Sequence, residues 1–181
     1  MRICGRISKN GMKRSKAVSQ GAHFLLYEHG EIQNVDSCLE HTLQTMGHGD
    51  LFVTGANALD AFGHAALLIG SPGGGGYGTC MPFLYTEGFR TLVLSSVMKL
   101  IPGDLSVLNM HVSRNKCDFS YGMPCSLAPI PGEVLTETQA LERYAHVSAH
   151  VFAKGGFSGA EASVAIQIEG EQEEVEKVLR L

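Results

Sequence analysis

The sequence predicts an α/β fold, a mainly parallel sheet flanked by helices. Three observations predict it. Residues 51–53 and 65–69 are short apolar runs that end in small or turn-forming residues, and the second feeds a glycine-rich loop. Residues 91–95, Thr-Leu-Val-Leu-Ser, lack polar alternation, as a strand buried on both faces does. Helical patterns lie between these runs, and such alternation favours parallel pairing. A final strand–turn–strand–helix leaves room for a small added C-terminal sheet.

Residues 1–7 read as a short strand. Residues 8–21 are polar and basic and read as a loop, either simply exposed or touching phosphate. Residues 22–27 are a second strand candidate, with His29 and Gly30 as a turn. Asp36 is placed to cap a helix over 37–46, in which Leu39, Leu43 and Met46 form an apolar stripe. After the glycine loop, 79–87 reads as a helix with Pro82 in its first turn and Gly88 at its end. Asp104 caps a short helix over 105–111.

Residues 115–135 form an irregular segment, with Cys117, Cys125 and three prolines before Gly132, and read as a lid or subdomain surface. Thr136 and Gln139 have capping-box spacing for a helix over 136–145. Residues 150–153 and 162–168 flank a second glycine turn, and a charged helix over 171–181 turns Val175, Val178 and Leu179 inward. The whole, 1–181, reads as a single α/β domain.

Composition narrows the function classes. With 181 residues the chain can bury a sizeable core. A net charge of −4 offers no electrostatic case for nucleic acid or an anionic membrane. No apolar run has transmembrane length. The basic start lacks an apolar signal core, and the five cysteines show no CxxC pair, so reduced thiols and a cytoplasmic location are expected.

The stretch from Gly49 to Gly78 centres on TGANALDAFGHAALLIGSPGGGG. It resembles the core of the ribose-5-phosphate isomerase, glucosamine-6-phosphate deaminase and CoA-transferase superfamily. Thr54, Gly55, Ala56, Asn57, Asp60 and the run Gly73, Gly74, Gly75, Gly76 match the DGADxxD and KGGGG motifs of the ribose-5-phosphate isomerase branch. Gly55, Ala56, Asn57, Gly63, Leu68, Gly70 and Ser71 follow the GADxxxxNGxxxNKxGT pattern of the methylthioribose-phosphate isomerase and initiation-factor branch. The likeness is greatest to uncharacterised prokaryotic proteins of the superfamily, with a similar K-L-I-P succession at 99–102.

The resemblance implies the fold and a phosphorylated or CoA-type small-molecule ligand. It also exposes departures. Asn57 stands where the isomerases carry an acid, and an amide cannot act as a general base. No lysine occurs at Ser71 or Pro72, Leu68 replaces the lysine of the other branch, and the glutamate base falls near Met81. No recognisable glutamate nucleophile of the CoA-transferase kind is present; Glu87 and Glu133 are the nearest glutamates.

Candidate sites follow from the residues. Gly73, Gly74, Gly75 and Gly76 could cradle an anion through their N–H groups before a helix, or form a tight packing loop. Asp60 could act as a desolvated base or cap its turn; Asn57 and Gly55 could orient a ligand. Lys99 follows a strand, where open parallel sheets bind ligands, and could pair with an anion. Cys80, just after the loop, could be a nucleophile with a lowered pKa or a buried filler. His111, Cys117 and Cys125 fit no standard zinc template, so no metal and no cofactor is expected.

Two functions result. One is a binder of a phosphorylated or CoA-type metabolite, an isomerase or acyl-transfer enzyme in which Asp60 is catalytic. The other is a non-catalytic regulatory or assembly subunit that keeps the fold. Few charges occur between Met81 and Leu100, which favours a homo-oligomer.

Overall fold

The computed structural model describes residues 5–8, 11–14 and 22–181. The first strands, β1 (Gly5–Ser8) and β2 (Gly11–Arg14), form an antiparallel hairpin. Within the expected 8–21 loop, 11–14 is therefore strand. Residues 1–4, 9–10 and 15–21 lie outside the described residues.

A second hairpin follows, β3 (Leu25–Glu28) and β4 (Glu31–Asn34). His29 and Gly30 join them with φ of 49° and 85°, a turn in which both central residues are left-handed and which suits the strand twist. The strand β4 is absent from the sequence reading because its four residues are all exposed and give no apolar alternation.

The helix α1 (Leu39–Thr45) starts at Cys38, not at Asp36. The Asp36 carboxylate instead accepts the N–H groups of His23 and Phe24 at 2.8–3.0 Å, tying the hairpin's base to the helix entry. Leu39, Leu43 and Met46 do face the core, with Leu43 buried.

Three strands make the parallel sheet: β5 (Leu51–Thr54), β8 (Arg90–Leu94) and β10 (Glu133–Leu135), with β8 central. Between β5 and β8 the chain passes through β6 (Ala58–Leu59), β7 (Ala65–Ile69) and α2 (Gly75–Thr86); β6 and β7 form an antiparallel sheet with β9 (Ser126–Ile130), which comes after β8. The fold is thus α/β, but among the described residues only these three strands form a parallel sheet; all other sheets are antiparallel. The run 65–69 looks like a parallel strand in sequence because both its faces are covered. Ala65, Leu67 and Ile69 meet the main core, while Ala66 packs with Leu105 of α3 (Leu105–His111).

The main core joins α1, α2 and one sheet face: Leu43, Tyr77, Cys80, Leu84, Phe89 and Val93 are buried in one cluster. The Tyr77 hydroxyl donates to the Pro129 carbonyl at 2.8 Å and fixes α2 to β9. α2 starts four residues before the expected 79, so Pro82 sits inside the helix, where its missing N–H leaves one carbonyl without its usual partner.

Asp104 caps α3 as expected, its Oδ1 accepting the Ser106 N–H at 2.7 Å. α4 (Glu137–Tyr144) begins at Thr136, whose N–H donates to Gln139 Oε1 at 2.7 Å. The long hairpin β11 (Val147–Gly155) and β12 (Ser163–Gly170) is the added C-terminal sheet, followed by α5 (Gln172–Leu179). In α5, Val178 is buried but Leu179 is three-quarters exposed, so Leu179 does not belong to the inner face.

Candidate functional site

Parallel strands end side by side, so whatever follows each of them is gathered at one edge. Gly55, Ala56 and Asn57 follow β5, Ser95 and Ser96 follow β8, and Thr136 and Glu137 follow β10. The Ser95 N–H donates to Leu135 O at 3.1 Å, which extends the pairing by one residue. Gly55 lies against the backbone of Leu94: a Cβ there would sit 3.7 Å from its carbonyl oxygen.

After Ser96 the chain makes a single 3-10 turn over Val97–Lys99. Lys99 Nζ donates to the Ala56 carbonyl, and Lys154 of β11 reaches the Val97 carbonyl at 3.2 Å. One ammonium thereby ties the turn to the end of β5, and a second is drawn to the turn from β11. The Val97 N–H donates to Glu137 Oε2 at 2.9 Å. Burial pushes the Glu137 carboxyl up, but hydrogen bonds from Ser96 and Val97 outweigh it and hold the group below its usual range. Ser95 Oγ is enclosed here with no hydrogen-bond partner.

Asn57 belongs to this edge through its backbone, and its side-chain oxygen is engaged. Oδ1 accepts the Leu68 N–H at 2.9 Å, and the Asn57 N–H donates to Ala66 O at 2.8 Å. The side chain splices β7 to the end of β5.

The glycine run lies at the start of α2. Gly73, Gly74 and Gly75 take φ of 65°, 84° and 58°, conformations that L side chains rarely adopt. The chain folds so tightly there that a Cβ on Gly78 would sit 1.7 Å from the Gly73 carbonyl oxygen, and one on Gly76 would meet the Phe24 ring at 2.5 Å. The close approaches that these glycines permit are to the protein itself. A cleft of about 360 Å³ opens beside Gly76 and Thr79, bounded by His23, Asp36 and Glu40. Burial pushes the Asp36 carboxyl up, yet the N–H groups of His23 and Phe24 hold it below its usual range, so this cleft carries acid.

Asp60 sits elsewhere. It precedes β7, whereas the glycine run follows it, so the strand's full length separates them. Five residues of strand span about 16 Å. Asp60 Oδ1 accepts the N–H groups of Phe62 and His64, and Oδ2 accepts that of Leu105 and the ring of His64. Burial pushes its carboxyl up, but these donors, Leu105 first, bring it down to about 2. An acid held so low, with both oxygens occupied, is a poor proton acceptor. Asp60, His64 and Asp104 offer donor atoms all within 4.8 Å of one another. No such grouping joins His111, Cys117 and Cys125 among the described residues.

Cys80 is wholly buried within α2, and burial pushes its thiol up to about 11. The helix starts five residues earlier, so Cys80 lies beyond the first turn where a helix dipole would lower it. It is a core filler.

The structure thus brings together Gly55, Asn57 and Lys99; Leu59 pairs with Leu100 beside them, but the carboxylate of Asp60 is spent on Leu105 and His64. Ser95, Lys154 and Glu137 join the edge without having been singled out in the sequence. Only their position just after a strand, or on the hairpin that folds back, could have marked them. The fold defines an α/β protein with a three-stranded parallel sheet and antiparallel additions. The chain matches no protein-family model, no curated protein and no solved structure. Among the described residues no helix is long and apolar enough to cross a membrane.

Proposed function

We propose that this chain binds a small phosphorylated or CoA-type metabolite at the carboxyl edge of its parallel sheet. The observation that carries the reading is the enclosed, unpartnered Ser95 Oγ next to a turn from which Lys99 reaches the Ala56 carbonyl and whose Val97 carbonyl accepts Lys154. Each ammonium uses one donor on a backbone carbonyl and has further donors for an anion. The two cations outnumber Glu137, the carboxylate on this turn. The start of α2 borders the separate cleft with His23, Asp36 and Glu40 and adds no donor to this turn. In this reading Gly73, Gly74, Gly75 and Gly76 shape the helix start, and Gly55 lets the strand ends lie close. The superfamily likeness of the GANALD and glycine-loop residues supports the same ligand class and an isomerase/CoA-transferase-like core.

A second reading, the non-catalytic regulatory or assembly subunit, is favoured by the state of the polar groups. Asp60, which the enzyme reading needs as its acid, is consumed by backbone hydrogen bonds, and Asn57 spends its Oδ1 on the Leu68 N–H. These contacts favour binding without turnover.

The test is a thermal-shift and calorimetric titration of inorganic phosphate, ribose 5-phosphate and CoA against the native chain, Lys154→Ala and Ser95→Ala. A ligand at a hundredfold excess over Kd stabilises by about 2.7 kcal/mol. Binding that Lys154→Ala weakens supports the site. Binding unchanged in both variants would place the ligand elsewhere, and no binding of any of the three would overturn the reading.

We also propose a homo-oligomer. In the sheet's register Val53, Leu92 and Glu133 share a face, with Leu51, Leu94 and Leu135 on the same side. Leu51, Val53 and Leu94 are each about half exposed, so this face lacks the helical cover of the other. Light scattering on the native chain and on Val53→Glu tests it: a dimer or larger species that the variant dissociates supports the reading, and a native monomer sinks it.

A further inference from the structure

We propose that Cys117 and Cys125 form an intramolecular disulfide when the chain meets a peroxide, making the segment between α3 and β9 a redox modification site. One residue links the two cysteines. The Arg114 N–H donates to Ser126 Oγ at 2.9 Å, next to Cys125, and Cys117 Sγ lies 3.9 Å from the Arg114 carbonyl oxygen. The two ends of this loop are therefore pinned to the same point of backbone.

The two sulfurs differ in the way a sensing pair needs. Cys117 is exposed and meets solutes; Cys125 is partly enclosed, its Sγ donating to Met123 O at 3.3 Å. They lie within electrostatic reach of each other. Burial raises the Cys125 thiol, the charge of Cys117 adds to that, and the Arg114 guanidinium pulls the other way. Arg114 Nε is enclosed with no hydrogen-bond partner, which leaves its cation available to a thiolate. The other described cysteines are placed differently: Cys80 is buried in α2 and Cys38 begins α1.

The chemistry balances in two steps. The Cys117 thiolate attacks one peroxide oxygen; an S–O bond forms, the O–O bond breaks, and the departing oxygen takes a proton to leave as water or alcohol. Sulfur is oxidised by two electrons and the peroxide reduced by two. Cys125, once deprotonated, then attacks the sulfenic sulfur. The S–S bond forms, the S–O bond breaks, and hydroxide leaves as water with the Cys125 proton.

The experiment treats the reduced full chain with hydrogen peroxide, blocks remaining thiols with maleimide and maps the digest by mass spectrometry. Two of the five cysteines should be lost as a pair, in one peptide joining Cys117 to Cys125 within a single chain. Dithiothreitol should restore both. In Cys125→Ser, Cys117 should stop at a sulfenic acid that dimedone traps, while exposed Cys38 stays a thiol. Independent oxidation of Cys117 and Cys125 with no joined peptide, or a bond from Cys117 to Cys38 or to a second chain, would overturn the proposal.

Discussion

Asp60 Oδ2 lies 2.8 Å from His64 Nδ1, with the carboxylate side chain fully enclosed and the imidazole half exposed. An ionised carboxylate only accepts, so Nδ1 of the ring is the donor. The same carboxylate receives the Leu105 N–H at the start of α3. One buried charge therefore binds the β6–β7 turn to a helix 45 residues away.

Asp60→Ala should be among the costliest polar substitutions. It strands the N–H groups of Phe62, His64 and Leu105 in or near the interior. Loss of hydrogen bonds to a buried charge predicts about 3 kcal/mol, measured as a lower urea midpoint with an unchanged slope. A loss under ~1 kcal/mol would show that the turn re-pairs with water.

The same group sets an acid limit. Its folded pKa is about 2, below the ordinary 3.8. A lowered folded pKa means the unfolded chain binds the proton first. The stabilisation is therefore complete above about pH 4 and is lost as pH falls toward 2, on the order of 2 kcal/mol in all. In Asp60→Asn this part of the pH profile should flatten; an unchanged acid limb would assign it to other carboxylates.

Glycines of the α2 entry should separate into two classes. Gly78→Ala drives a methyl into the Gly73 carbonyl, which is backbone and cannot swing aside. Overpacking of that kind costs about 3 kcal/mol. Gly73→Ala meets nothing within 4 Å and incurs only the left-handed backbone penalty, about 1 kcal/mol. Melting temperatures of the two variants measure the difference, and equal losses would mean the loop moves as a unit. Gly75→Asp, a natural probe of anion binding, is unsuitable because φ of 58° strains any side chain there.

Cys80 should be the slowest described thiol to react with iodoacetamide at neutral pH. It has no exposure, and burial raises its thiol to about 11. Alkylation resolved by peptide mapping should find Cys38 and Cys117 modified well before it. Comparable rates in the native chain would mean that α2 opens readily or that the thiol is activated.

The local elements are legible in the order of the residues. Leu39, Leu43 and Met46 at helical spacing mark the buried stripe of α1. Asp104 with Ser106, and Thr136 with Gln139, mark two helix starts because a side-chain oxygen must meet a backbone N–H within three residues. These interactions are short-range, so local order suffices to read them. Strand pairing was decided only in three dimensions. The apolar run at 65–69 is buried on both faces whether its neighbours run parallel or antiparallel, and its partner β9 lies in a segment that read as irregular. Polar groups depend on the same distant choices. Asp36 can cap its own helix or hold His23 and Phe24; Asp60 can cap a turn, work as a base or bind Leu105. Each carboxylate settles on the donors that the tertiary fold desolvates beside it, and those donors are 12 to 45 residues away in the chain.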